Sequence, residues 1–152
     1  MEWQLTIDAN DPALLVRFWG PALGYAVQPP PPGHATWNDW YRSVGVPEEE
    51  LDLSGDGSDR ILDPEGAGPT IWFQAVPERK NGKNRLHLDL RVGGGRSVPV
   101  AQRKPGVDAK VAELVAAGAT VLRRYPAEFE VTDVEGYFVV MADPEGNEFC
   151  VT

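Results

Sequence analysis

Residues 3–8, Trp-Gln-Leu-Thr-Ile-Asp, alternate between apolar and polar positions, the period-two pattern of a half-buried strand. Asp11-Pro12 then marks a helix start, because Asp caps free N–H groups and Pro suits the first helical position. Leu14, Leu15, Phe18, Trp19 and Ala22 share one face of that helix. Pro21 disturbs its last turn and Gly24 ends it. A strand over about 25–28 follows. The four prolines 29–32 close it, favouring an extended stretch that has no donors for a sheet ladder. Ala35–Val44, with Trp37, Trp40 and Tyr41, reads as an aromatic strand. Residues 46–69 are rich in Gly, Pro, Asp and Glu and read as a long acidic loop, either a solvated connection or a lid. Thr70–Val76 is a strand, and Pro77–Asn84 a basic turn.

The second half opens on Arg85–Val92, a strand in which Leu86, Leu88 and Leu90 point one way and Arg85, His87, Asp89 and Arg91 the other. Gly93–Gly106 reads as a flexible loop. Asp108 caps a helix that buries Val111, Leu114 and Val115 and stops at Gly118. Strands are predicted over Thr120–Arg124, about Phe129–Asp133, Tyr137–Ala142 and Glu148–Val151, with Asp143–Asn147 as the hairpin turn between the last two. The element order predicts an α+β fold in which a strand, a helix and three strands recur. Asp11 through Val27 is echoed by Asp108 through Val121, so an internal duplication fits the pattern.

Composition narrows the functional classes. With 14 basic and 23 acidic side chains, the net charge of −9 argues against a nucleic-acid partner, which needs a basic face. It favours cationic partners only weakly against the simpler reading of a solvated acidic surface. No apolar run reaches the ~20 residues of a membrane span, and the start lacks a secretion signal. The single cysteine, Cys150, has no internal disulfide partner. The expectation is a cytoplasmic protein that binds neither nucleic acid nor membrane. Gly93–Gly95 lacks the ending of a phosphate loop, and no nucleophile elbow is present.

Several segments together resemble a known family. Asp11-Pro12, Phe18-Trp19 and Leu23-Gly24-Tyr25 resemble the first strand–helix unit of the vicinal oxygen chelate superfamily, the glyoxalase, bleomycin-resistance and dioxygenase group. So do Val111, Leu114 and Gly118–Val121, and the closing Asp143–Phe149. Trp72–Glu78 followed by Lys83–Leu90 is similar to the bacterial glyoxalase-like branch. The resemblance covers nearly the whole chain. It implies one domain over 1–152, with a first module at about 1–78 and a second at about 84–152. Each module would be βαβββ, its curled mixed sheet walling a cleft and its helix outside. It also implies a homodimer. It fixes no reaction, because the scaffold hosts isomerases, dioxygenases, thiol transferases and drug-sequestering proteins.

Family enzymes hold a divalent metal with His and Glu side chains on the inner faces of the sheets. By spacing, those positions fall here on Gln4, Gln74, His87 and Cys150, and only His87 matches in residue type. Amide oxygens carry no charge and bind cations poorly. The resemblance therefore implies no cofactor at that set, with a divalent metal held through Asp89, Glu148 or a partner chain as the alternative. Strand alternation places Gln4, Thr6, Trp72, Gln74, His87, Asp89, Glu148 and Cys150 toward the cleft. There His87 is either a general acid/base or a lining residue. Its side chain and that of Asp89 are two apart on one strand, roughly 6–7 Å at the base, too far for an assured hydrogen bond. Cys150 is either a nucleophile or a small buried thiol. Trp37, Trp40 and Trp72 either floor a site for a planar or cationic ligand or pack in the core. The functional expectation is a protein that binds a small organic ligand and acts as a lyase or isomerase through His87. The alternative is a non-catalytic, drug-sequestering protein of the bleomycin-resistance type.

Overall fold

The computed structural model describes residues 3–92, 94–95, 97–126 and 136–152. The chain divides into two compact units, Met1–Arg79 and Lys80–Thr152. The fold is α+β: among the described residues each unit carries one four-stranded mixed sheet, and three α-helices accompany the two sheets. No helix among the described residues is long and apolar enough to cross a membrane.

Unit 1 contains β1 (Gln4–Ala9), α1 (Pro12–Leu23), β2 (Ala26–Val27), α2 (Trp37–Ser43), β3 (Arg60–Leu62) and β4 (Thr70–Ala75). Its strands lie in the order β1-β4-β3-β2, with β1 and β4 parallel and the other pairs antiparallel. Helix α1 starts as the sequence predicts, with Asp11 Oδ1 accepting from the Leu14 N–H at 2.9 Å. It ends at Gly24, whose φ of 72° is a left-handed conformation that favours glycine. Leu15, Val16, Phe18, Trp19 and Ala22 are buried, and the helix packs on β3 and β4, whose Ile61, Ile71 and Phe73 complete this core.

Two expectations for this unit change. The aromatic segment is a helix, not a strand. Thr36 Oγ1 accepts from the Asp39 N–H, and Asp39 Oδ2 accepts in return from the Thr36 N–H, closing a capping box. Residues 37, 40 and 41 then fall on one helical face, the i, i+3, i+4 spacing that alternation misses. The missing strand is β3, inside the stretch read as a continuous loop. Ile61 supplies its one fully buried side chain, opposite Val27 and Ile71. A single 3₁₀ turn at Glu48–Glu50 also interrupts that loop.

Unit 2 contains β5 (Asp89–Leu90), α3 (Val100–Ala116), β6 (Thr120–Tyr125), β7 (Phe138–Ala142) and β8 (Glu148–Val151). The order β5-β8-β7-β6, with β5 and β8 parallel, repeats the topology of unit 1 strand for strand. Both units are therefore βαβββ. The predicted strand over 85–92 is shorter than its leucines suggest. Only its end finds a partner, through Cys150 N–H to Leu88 O at 2.8 Å and Thr152 N–H to Leu90 O at 2.8 Å. Leu86 precedes that pairing and is 80% exposed. Helix α3 begins eight residues before Asp108, which lies inside it rather than capping it. The strand expected at Phe129–Asp133 lies outside the described residues. Val107, Val111 and Leu114 of α3 are buried, as are Val139, Met141, Phe149 and Val151 of the sheet it packs on. Asp143 shapes the last turn, with Oδ1 accepting from the N–H groups of Glu145 and Asn147.

Candidate functional site

On β7 and β8 the burial alternates. Val139, Met141, Phe149 and Val151 are buried toward α3, which leaves Phe138, Val140, Glu148 and Cys150 half-buried on the other face. Cross-strand register lines up Arg123, Val140, Cys150 and Asp89 in one row. A bulge at Leu122 inserts an extra residue in β6, so that Leu122 and Arg123 both border the same concavity. That pocket has a volume of about 450 Å³. Its polar rim carries Lys83, His87, Glu148 and Cys150; Leu122, Phe138 and Val140 supply an apolar wall.

His87 Nε2 lies 3.3 Å from Asp89 Oδ1, with both side chains about half exposed. The spacing expected at the base of the two side chains leaves room for their tips to approach this closely. His87 precedes the regular ladder, so the period-two rule does not hold it away from Asp89. Donor atoms of His87, Asp89 and Cys150 all lie within 4.8 Å of one another. Burial pushes the Cys150 thiol above its ordinary range. The charge of Asp89 and a hydrogen bond to it add to the effect, and Lys83 and Arg123 oppose it. Burial and Asp89 thus disfavour the thiolate, the form that acts as a nucleophile. Glu148 is paired with Lys83.

The other predicted site residues lie in unit 1. Gln4 and Thr6 are exposed on β1, and Thr6 is in register with Trp72. Trp72 and Gln74 are half-buried on β4, alternating with the buried Ile71 and Phe73, as predicted. Both border a second concavity of about 580 Å³. Asp59 organises its wall: Oδ2 accepts from Trp72 Nε1–H at 2.7 Å and from the Tyr41 hydroxyl at 2.5 Å. Burial, then that hydrogen bond, raises the Tyr41 phenol well above its usual range. Trp37 is almost wholly buried. Its Nε1–H donates to Gln28 O at 2.8 Å, and Trp40 packs edge-on against it at 5.4 Å. The three tryptophans do not make a free floor: the Arg60 guanidinium lies against both Trp37 and Trp72.

Sequence reasoning missed Lys83, Leu122, Arg123, Phe138 and Val140 at the first pocket, and Tyr41, Asp59 and Arg60 at the second. Lys83 was visible only as part of a basic turn. The bulge that turns Leu122 and Arg123 to one side has no signature in residue type.

The metal positions that the resemblance implies offer two amides, one imidazole and one thiol. That set fits a divalent cation poorly. Within unit 2, however, imidazole, carboxylate and thiol converge, a donor set that suits a borderline-soft ion.

A model of the glyoxalase-like domain matches residues 4–152. No curated protein matches the sequence. Among solved structures, the chain is similar to a glyoxalase/bleomycin resistance protein/dioxygenase family enzyme from Burkholderia phytofirmans PsJN, at 19% identity and a TM-score of 0.57, covering 97% of this chain and 94% of that one. It is also similar to the fosfomycin resistance protein FosX from Mesorhizobium loti, at 9% identity and a TM-score of 0.54, covering 99% and 89%. A hypothetical protein, SA1046 from S. aureus, matches at 14% identity and a TM-score of 0.53, covering 99% and 95%. At these identities the likeness concerns the fold alone.

Proposed function

The chain belongs to the family of glyoxalase-like domains, and on that premise we propose that it binds a small organic ligand in the unit 2 pocket and moves a proton on it through His87, as a lyase or isomerase. The observation that carries this reading is the 3.3 Å approach of His87 Nε2 to Asp89 Oδ1 at the rim of an apolar-walled concavity. A carboxylate at this distance stabilises the imidazolium formed when the ring takes a proton. A C–H next to a carbonyl loses its proton to the imidazole. The electron pair moves to the carbonyl oxygen as an enolate, where the positive charge of Arg123 opposes the developing negative charge. Where the carbon that lost the proton bears a hydroxyl, return of the proton to the former carbonyl carbon, with the hydroxyl proton passing to the other oxygen, completes an isomerisation; where the β-carbon bears a leaving group, its departure with re-formation of the carbonyl completes an elimination.

Native mass spectrometry of the purified chain identifies the ligand class that travels with it. With that ligand in hand, His87→Ala lowers affinity or turnover at least about tenfold, roughly 1.4 kcal/mol. The fold survives, because the side chain is half exposed. Unchanged affinity and turnover would reduce His87 to a lining residue.

The second reading, sequestration without chemistry, is favoured by the unit 1 concavity. Trp72 and Tyr41 border it together with Asp11, Glu49, Glu50, Asp52 and Asp59, and its described lining contains no basic side chain. Arg60 already lies against Trp72, so an organic cation would be held here by the carboxylates of Glu49, Glu50 and Asp52 rather than by stacking. Under this reading His87→Ala leaves binding intact and Glu50→Gln with Asp52→Asn abolishes it.

A further inference from the structure

We propose that the ligand of the unit 2 pocket is a 2-oxo acid with an apolar tail, and that Arg123 is the residue that selects its carboxylate. The place of the carbonyl rests on the proton-transfer reading above; the carboxylate follows from charge and geometry alone.

The charges around this pocket are unevenly committed. Lys83 is paired with Glu148, and His87 lies against Asp89. The neighbouring Arg124 is held by Asp108 and by the Tyr137 hydroxyl. Arg123 has neither an ion pair nor a hydrogen bond among the described residues, although it lines the pocket. It is the one uncommitted cation in the described lining. The bulge is what puts it there. Val121 pairs with the buried Met141, so strict alternation would turn residue 123 toward α3. The extra residue, Leu122, reverses this: Arg123 pairs with Val140 and shares the open face with Cys150 and Asp89. Leu122, Phe138 and Val140 beside it form an apolar wall in a volume of about 450 Å³. A small molecule that satisfies both features has one anionic end and one apolar end.

Donor geometry decides which anion. A guanidinium is a planar fork that matches two neighbouring oxygens. The proton-transfer reading asks the same guanidinium to oppose the charge that develops on a carbonyl oxygen. One fork serves a carboxylate and that carbonyl together only where the two groups are bonded to each other, as in a 2-oxo acid. One donor then meets a carboxylate oxygen and another the oxygen on C2. His87 takes the proton from C3, the C3–H electron pair becomes the C2–C3 double bond, and the carbonyl pair settles on the oxygen beside Arg123. The carboxylate is charged throughout, so its contact contributes to binding; the C2 oxygen is charged only in the enolate, so its contact contributes to rate. Arg123 and Asp89 stand three strands apart in their row, roughly 14 Å at the backbone at about 4.8 Å per strand. The guanidinium reaching in from one end and the imidazole beside Asp89 at the other leave the length of a short acid between them.

The test uses the full chain and three probes, 2-oxohexanoate, hexanoate and 2-hexanone, with affinities from NMR titration and exchange at C3 followed in deuterium oxide. 2-Oxohexanoate should bind at least about tenfold more tightly than the uncharged ketone, with hexanoate between them. Arg123→Gln should remove that preference by weakening 2-oxohexanoate at least about tenfold. Arg123→Lys keeps the charge without the fork, so it should hold hexanoate but lose the added affinity of the 2-oxo acid. Both variants change an exposed side chain and leave the core intact. The wild type should also speed deuterium exchange at C3 of 2-oxohexanoate more than that of 2-hexanone. Equal affinity for acid and ketone, or unchanged affinity in Arg123→Gln, would overturn the inference. Hexanoate binding as tightly as 2-oxohexanoate would overturn the carbonyl beside the carboxylate. Selective binding of the acid without faster exchange would leave the carboxylate site standing and sink the proton-transfer reading instead. Exchange of the ketone as fast as of the acid would do the reverse.

Discussion

The guanidinium carbon of Arg60 lies 4.3 Å from the ring centre of Trp37. The same group is 5.1 Å from the ring centre of Trp72, and its Nε is 3.7 Å from Asp59 Oδ1. The aromatic surface that the sequence offers to a cationic ligand is thus met by the chain's own cation. This side chain is only 13% exposed, so its charge interactions are little screened. Arg60→Met keeps most of the volume but removes the charge, and it leaves Asp59 buried without its counterion. It should lower unfolding stability by about 2–3 kcal/mol in urea denaturation. Arg60→Lys should fall between the two, because an ammonium lacks the planar face that stacks on indole. A wild-type midpoint in the methionine variant would show that the stack contributes nothing.

How far the sequence could be read depended on whether a segment's local signals agreed with one another. At α1 the cap, the first-turn proline, the apolar face and the terminal glycine all pointed to one answer, and the helix lies where they put it. At Trp37–Ser43 two signals competed. Aromatic residues favour strands, but the Thr36–Asp39 capping box and the 37, 40, 41 spacing favour a helix, and the backbone bonds decided it. At 85–88 the alternation was sound, but a strand also needs a neighbour, and β8 is only four residues long. Partner length is not written in the segment itself. The face of Glu148 and Cys150 was legible for the opposite reason, since β8 is paired on both sides and its alternation is enforced. His87–Asp89 contact was not legible, because it depends on where the ladder begins.

Asp108 gives a prediction in pH. Burial alone would raise its carboxyl, but hydrogen bonds from Lys104 and Tyr137, with the charges of Lys104 and Arg124, hold it below the usual range. A carboxylate depressed on folding contributes stability that is complete above the unfolded value near pH ~4 and is lost as pH falls through the folded value. At 36% exposure solvent screens part of this, and about 1 kcal/mol remains. Asp108→Asn should therefore be less stable than the wild type by about that amount at neutral pH. The difference should shrink below about pH 4 as the wild-type carboxylate takes up its proton. Thermal melts of both proteins across the acid range check this. A constant difference at all pH values would show that the charge of Asp108 is not what stabilises.

Gly57 decides whether the acidic segment is a lid or a fixed part of unit 1. Its φ of 81° is left-handed, and a Cβ there would stand 2.4 Å from Asn38 Oδ1 and 2.9 Å from the Asn38 backbone nitrogen. Asn38 is 95% buried; its Nδ2 donates to Asp52 O at 2.8 Å and Gly55 O at 3.2 Å, and its backbone N–H donates to Asp56 O at 2.9 Å. Three hydrogen bonds thus clip residues 52–56 to the first turn of α2, just ahead of the Asp59 that holds Trp72 and Tyr41. A lid that opened here would have to break all three and leave the Asn38 amide buried without partners. Gly57→Ala adds a backbone cost of about 1 kcal/mol at positive φ to a contact with backbone that cannot rotate away. It should destabilise by roughly 2–4 kcal/mol, several degrees in melting temperature for a chain of this length. A loop free to move as a lid would absorb the methyl at little cost. An unchanged melting temperature in Gly57→Ala would therefore restore the lid.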